Sequence, residues 1–174
     1  MSIYFKPMPF QDFLELLSRS AEEYAEAMVI AHEYPNMKTP RKLATEEVNG
    51  YLTPEGKLRP NEYVNYVYTS SEGEQPIGIL WFSIYHRLPE SFAFVAWVEV
   101  FEPFRNKGYA QAMMWAIEPE MRLYGAKRVD LNVFGHKAAA QRVYAKCGYQ
   151  FVRAGRYGLS SIPTRFDLSK SLKG

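Results

Sequence analysis

Val98-Glu99-Val100-Phe101-Glu102-Pro103-Phe104-Arg105-Asn106-Lys107-Gly108-Tyr109-Ala110-Gln111 is the stretch around which the rest of the chain is arranged. It begins inside a near-continuous apolar segment, Phe92 to Phe101, whose composition predicts a strand buried on both faces. A helix follows. Apolar or small residues recur at Tyr109, Ala112, Met113, Ala116, Ile117, Met121 and Tyr124, one stripe at helical spacing. A strand, a basic loop with a glycine and then a helix start make an anion site, because the first amides of a helix are unpaired and lie at the positive end of its dipole. Arg105 and Lys107 add two full charges, while Gly108 and Ala110 leave room for a phosphate to touch the backbone. The expected ligand is a di- or polyphosphate.

Two common phosphate loops do not fit. The Walker string, Gly, four residues, then Gly-Lys-Ser/Thr, is absent. The three spaced glycines of a dinucleotide fingerprint are absent too. Arg105-x-x-Gly108-x-Ala110 does match Arg/Gln-x-x-Gly-x-Gly/Ala, the acetyl-CoA pyrophosphate loop of the GNAT (Gcn5-related) N-acetyltransferases. A second block strengthens the resemblance. Val129 to Val133 reads as a strand and Ala138 to Tyr149 as a helix closed by Gly148. That helix resembles the family's Asn-x-x-Ala-x-x-Leu-Tyr-x-Lys-x-Gly-Phe, with Ala140, Tyr144, Lys146, Gly148 and Tyr149 in register, Val143 in place of Leu, and Lys137 in place of Asn. A lysine there can still reach a phosphate. The wording Phe-Glu-Pro-Phe-Arg-x-Lys-Gly-Tyr-Ala is similar to small bacterial members of the family.

The resemblance implies a mixed, mainly antiparallel, seven-stranded α/β sheet flanked by helices and splayed between its fourth and fifth strands, with the co-substrate in the opening. It implies acetyl-CoA, no metal, and transfer in a ternary complex. The residues matched to co-substrate binding are Val98, Val100, Arg105, Asn106, Lys107, Gly108, Tyr109, Ala110, Gln111, Asn132, Lys137, Ala140, Tyr144 and Lys146. The acceptor is expected to be the primary amine of a small molecule. A protein N-terminus or lysine, and a CoA-binding module without turnover, stay open at this point.

Acetyl transfer to an amine needs a base, a hold on the oxyanion, and a proton for the leaving thiolate. Glu99 is the one carboxylate between Phe92 and Phe101 and is the candidate base. It reads equally as a strand-end glutamate paired with an arginine. Tyr144 matches the family's general acid: a phenol of pKa about 10 stays protonated and can supply a thiol of pKa about 8.5. It also reads as a packed helix tyrosine. The oxyanion is expected on main-chain N–H groups near Val100 and Phe101. Asn132 could meet the co-substrate's amides, or be satisfied by the backbone.

Residues 1–174 read as one domain with ample core, 47% hydrophobic and 16% aromatic. No apolar run reaches membrane-spanning length, and Met1 to Pro9 lacks a signal-peptide layout, so a cytoplasmic monomer or homodimer is expected. Cys147 is the only cysteine, which excludes an internal disulfide, and it reads as a small buried helix residue. A net charge of +2 gives no basic face for nucleic acid. His32, His86 and His136 lack metal-ligand spacing.

Ile3 to Pro7 reads as a strand, and Phe10 to Glu33 as a helix that Ser18-Arg19-Ser20 divides in two. Arg41 to Leu52 reads as a short helix closed by Gly50 and Pro54. Glu62 to Thr69 and Ile77 to Tyr85 form a hairpin. Pro119 predicts a kink or break in the helix after the loop. Gln150 to Arg153 and Thr164 to Leu168 are closing strands around residues 155–161. The front third is expected to lie over the acceptor site, and Tyr24, Tyr34, Tyr51, Tyr63, Tyr66, Tyr68 and Tyr157 are candidates for its lining or for the core.

Overall fold

The computed structural model describes residues 2–172. Seven strands form one sheet: β1 (Ile3–Pro7), β2 (Glu62–Thr69), β3 (Gly78–Tyr85), β4 (Phe92–Val100), β5 (Arg128–Phe134), β6 (Gln150–Gly155) and β7 (Arg165–Ser171). Their order is β1-β2-β3-β4-β5-β7-β6. Every neighbouring pair is antiparallel except β4 and β5, which run parallel.

Helices cover both faces. On one, α1 (Phe10–Ile30) and α2 (Lys38–Asn49) set Phe13, Leu16, Leu17 and Val48 against Val64, Ile79 and Trp81. On the other, α3 (Tyr109–Leu123) packs Met113, Met114, Ile117 and Met121, all fully buried, against Val67, Leu80, Phe82, Ala93 and Val129. Ala140, Val143 and Tyr144 of α4 (Ala138–Lys146) extend this second core. Each fully buried large side chain contributes about 1.5–3 kcal/mol, so burial outweighs local propensity in both layers.

That balance explains two departures from the sequence reading. The helix over Phe10 to Ile30 is continuous, because the Ser20 hydroxyl donates to the Leu17 carbonyl 2.9 Å away and is absorbed within the turn. Likewise α3 runs through Pro119 without a break, held by buried methionines and Ile117 on both sides of it. A third correction concerns the strand buried on both faces. It is β3, buried from Gly78 to Ile84, whereas β4 is half-buried beyond Val95.

The reason is the splay. β5 pairs with β4 only from Phe92 to Val95, so among the described residues Ala96 to Val100 have no paired strand on that side. On the other side the register with β3 shifts: Phe82 lies opposite Val95 but Trp81 lies opposite Trp97, leaving Ala96 as one extra residue, a β-bulge. Beyond it β3 and β4 come very close, and a Cβ on Gly78 would collide with the Glu99 carbonyl.

Candidate active site

The half-opened sheet holds a cavity of about 690 Å³. Its floor is β4 from Phe94 to Glu99. One wall comes from α1, α2 and the turn after α2, with Ser20, Glu23, Tyr24, Glu47, Val48 and Tyr51. The other comes from β5 and α4, with Asn132, Val133, Lys137, Ala140 and Tyr144. A cavity of about 620 Å³ between α1 and α2 contains none of the residues singled out from the sequence.

Backbone direction follows from one hydrogen bond. Phe101 N–H donates to the Ile77 carbonyl at 2.9 Å, toward β3. With alternation along the strand, Val98 and Val100 point their N–H and C=O groups the other way, into the splay. The Val100 carbonyl is met there by Arg105 Nε at 3.0 Å. The expected oxyanion donors are corrected accordingly: Phe101 is committed to β3, and the free amides on the open side are those of Val98 and Val100.

The loop after β4 supplies the anion site. A 3-10 turn, Glu102–Phe104, delivers the chain to Arg105. Asn106 and Gly108 then take left-handed conformations with φ of 62° and 83°, turning the chain into α3. Among the described residues no backbone acceptor is found for the N–H groups of Asn106, Lys107, Gly108, Tyr109, Ala110 and Gln111, and the first such bond is Ala112 N–H to the Gly108 carbonyl. No side chain caps the helix, and its first turn holds no acidic residue. A Cβ on Gly108 would meet only open space, so an anion can approach the amides closely.

The two basic side chains differ. Arg105 makes no ion pair among the described residues. Lys107 is paired with Glu72 at 3.0 Å, and the Tyr109 hydroxyl donates to the same carboxylate at 2.6 Å. The expectation of two full charges is thus reduced to one, and the Tyr109 ring lies in the core. Lys137 is the N-cap of α4 and lines the cavity, as does Ala140; Lys146 sits in the last turn of α4, outside the lining. Asn132 donates to Asp167 at 2.6 Å, across the β5–β7 register.

Tyr144 faces the cavity with its ring edge-on to Tyr149, and its hydroxyl has no protein partner among the described residues. Burial pushes its pKa up to about 12, so it carries its proton at neutral pH. Glu99 is gripped by Arg19 of α1 at 3.1 and 2.7 Å, and Trp97 Nε1 donates to it at 3.2 Å. The arginine-paired reading is the one the structure shows, with the carboxylate placed on the cavity floor. Cys147 is buried, with its thiol pushed up to about 11 by desolvation, which makes it a packing residue.

Of the candidate tyrosines, Tyr24, Tyr51 and Tyr157 line the cavity. Tyr63 stacks on Phe82, Tyr66 bonds to Asp12, Tyr68 stacks on Tyr4, and Tyr34 packs beside Met28 and Phe134. Sequence reading missed Arg19, Glu47 and Arg165. Arg165 is buried and forks onto the fully buried Glu33 through Nε at 2.8 Å and a second nitrogen at 2.5 Å, while its third nitrogen donates to the Tyr24 hydroxyl. Partners 132 residues apart leave no local spacing to read.

Comparison with known proteins adds the class. The sequence profile of the acetyltransferase (GNAT) family matches residues 17–149. YycN of Bacillus subtilis, described as an uncharacterized N-acetyltransferase, is 28% identical over 151 residues, covering 86% of this chain and 94% of YycN. YdgE of the same organism, described likewise, is 27% identical over 149 residues, covering 86% of this chain and 92% of YdgE. The crystal structure of YycN superposes with a TM-score of 0.79 at 25% identity, over 88% of this chain and 96% of that one. Fold likeness extends to spermidine N-acetyltransferase of Vibrio cholerae, solved with CoA and spermine, with a TM-score of 0.61 at 12% identity over 98% and 95% of the two chains. Fold and site thus define an acyltransferase. More particularly, the chain belongs to the GNAT acetyltransferase family.

Proposed function

We propose that this protein is an acetyl-CoA-dependent N-acetyltransferase of one domain that acetylates the primary amine of a small molecule by direct transfer in a ternary complex, in the cytoplasm. The observation that carries the reading is the run of amides from Asn106 to Gln111, unpaired among the described residues, that follows Arg105 at the edge of a cavity lined by Val98 and Tyr144. The amides and Arg105 receive the diphosphate, with Lys137 in the wall formed by β5 and α4. Acetyl-CoA supplies the thioester. The crystallised relative with CoA and spermine supports both halves of the substrate pair for this fold.

In the proposed reaction, Glu99 accepts a proton from the acceptor ammonium, directly or through water. An alkylamine of pKa about 10.4 is neutral in only about one molecule in a few thousand at pH 7, so this step is worth having. Val98 and Val100 N–H stabilise the oxyanion formed as nitrogen attacks the carbonyl. Tyr144 donates its proton to the sulfur as the C–S bond breaks, and the proton the new amide nitrogen sheds passes to solvent, from which Tyr144 is reprotonated. A test is CoA release in the presence of acetyl-CoA and a panel of small amines and lysine peptides, with calorimetry for CoA alone. Binding without release from any amine would leave only a CoA-binding module. No CoA binding at millimolar concentration would end the reading.

A further inference from the structure

The wall built by α1 and α2 has a charge and surface that select among amines. Three carboxylates lie on the acceptor side of the cavity, Glu23, Glu47 and Glu99. Arg19 serves two of them, Glu23 at 3.1 Å and Glu99 at 2.7 Å. The other nearby cation, Arg165, is neutralised inside the wall by Glu33. Glu47 makes no ion pair among the described residues, and its neighbour is the Tyr24 hydroxyl. Three negative charges against one positive leave two uncompensated on this side, whereas Arg105 and Lys137 stand against the β4 end and α4.

The surfaces between these charges are aromatic: Tyr24, Tyr51, Trp97 and Tyr157. Cations already rest on three of these rings. The Arg165 guanidinium lies 5.0 Å from the centre of Tyr24 and 4.1 Å from that of Tyr157, and Arg19 lies 5.8 Å from that of Trp97. Arg165 donates to the Tyr24 oxygen, and Glu47 lines the same wall as Tyr24 and Tyr51, at the edge of the aromatic surface.

We infer that the acceptor is an aliphatic diamine: one amine is presented at Glu99 for acetylation, and a second ammonium, which does not react, is held by Glu47 against Tyr24 and Tyr51. This rests on the acceptor being an amine, as proposed above, and adds which amine. A monoamine would leave one of the two uncompensated charges unmatched. An acidic or neutral acceptor would leave both.

The matched probes are diaminobutane and aminobutane, alike except for the second ammonium. The CoA-loaded protein is titrated with each by calorimetry, and CoA release is followed in parallel with acetyl-CoA. The expected result is at least about tenfold tighter binding of the diamine, from one added ion pair plus its aromatic contact. Glu47→Gln, an isosteric change at an exposed helix position, should reduce that ratio to about threefold or less and leave the affinity for CoA unchanged. Equal binding of the two amines, no binding of either, or a ratio that survives Glu47→Gln overturns the inference. Diamine bound tightly but never acetylated would uphold this site and end the transferase reading. Release with aminobutane or a lysine peptide at the diamine's efficiency would do the reverse.

Discussion

Arg19, in the middle of α1, holds Glu99, near the end of β4, through two nitrogens at 3.1 and 2.7 Å, tying the front helix to the floor of the cavity. If Glu99 takes the amine proton, Glu99→Gln should lower turnover at pH 7 by about 10²- to 10⁴-fold. Raising the pH toward the amine's own pKa should restore part of the loss, since the base is then needed less. A rate deficit that is the same at every pH would assign Glu99 to structure alone.

Tyr144→Phe removes a hydroxyl with no protein partner and keeps the ring that packs on Tyr149. Turnover should fall by about 10²-fold or more while the KM for acetyl-CoA and the melting temperature stay close to the parent's. The parent's rate should also show no downturn from this phenol below about pH 10, because burial has moved its titration up to about 12.

Ala110→Asp separates helix stability from anion binding. An aspartate in the first turn of α3 complements the helix dipole and can accept from unpaired amides, worth about 0.3–1 kcal/mol. The same charge occupies the place of a phosphate. Thermal denaturation should show equal or greater stability, while calorimetry shows CoA affinity reduced at least about tenfold. Unchanged CoA affinity would place the diphosphate elsewhere.

Glu62, at the start of β2, accepts from Trp81 Nε1 at 2.8 Å and from the Ser83 hydroxyl at 2.6 Å, yet desolvation raises its pKa. A carboxyl whose folded pKa exceeds its unfolded one favours folding while protonated, and that contribution fades as pH rises through the folded value. Glu62→Gln, neutral at all pH, should therefore melt higher than the parent near pH 8. The gap should close toward pH 4, where the parent is protonated too. A gap independent of pH would locate the effect in packing.

What could be read ahead of the structure was whatever is local. The passage from Phe92 through the loop into α3 is legible because the apolar period changes there, and Tyr144 is legible from its helix register. Ser18 to Ser20 and Pro119 misled because a back-bonded hydroxyl and buried flanks override propensity. The placement of β7 between β5 and β6 has no signature in spacing. The same holds for Arg19 and Arg165, whose partners lie 80 and 132 residues away. Charge compensation in the cavity is visible only once distant elements meet.

Ala96 gives β4 an odd count where its partner is even. Were Ala96 instead drawn into the regular ladder, alternation beyond it would reverse, swinging the amides of Val98 and Val100 back toward β3 and exchanging which side chains look into the opening. The sheet would keep its strands and lose its vacancy for an acyl group. Strand length here is a matter of parity, so insertions harmless in the surface turns would be lethal to activity in this one segment.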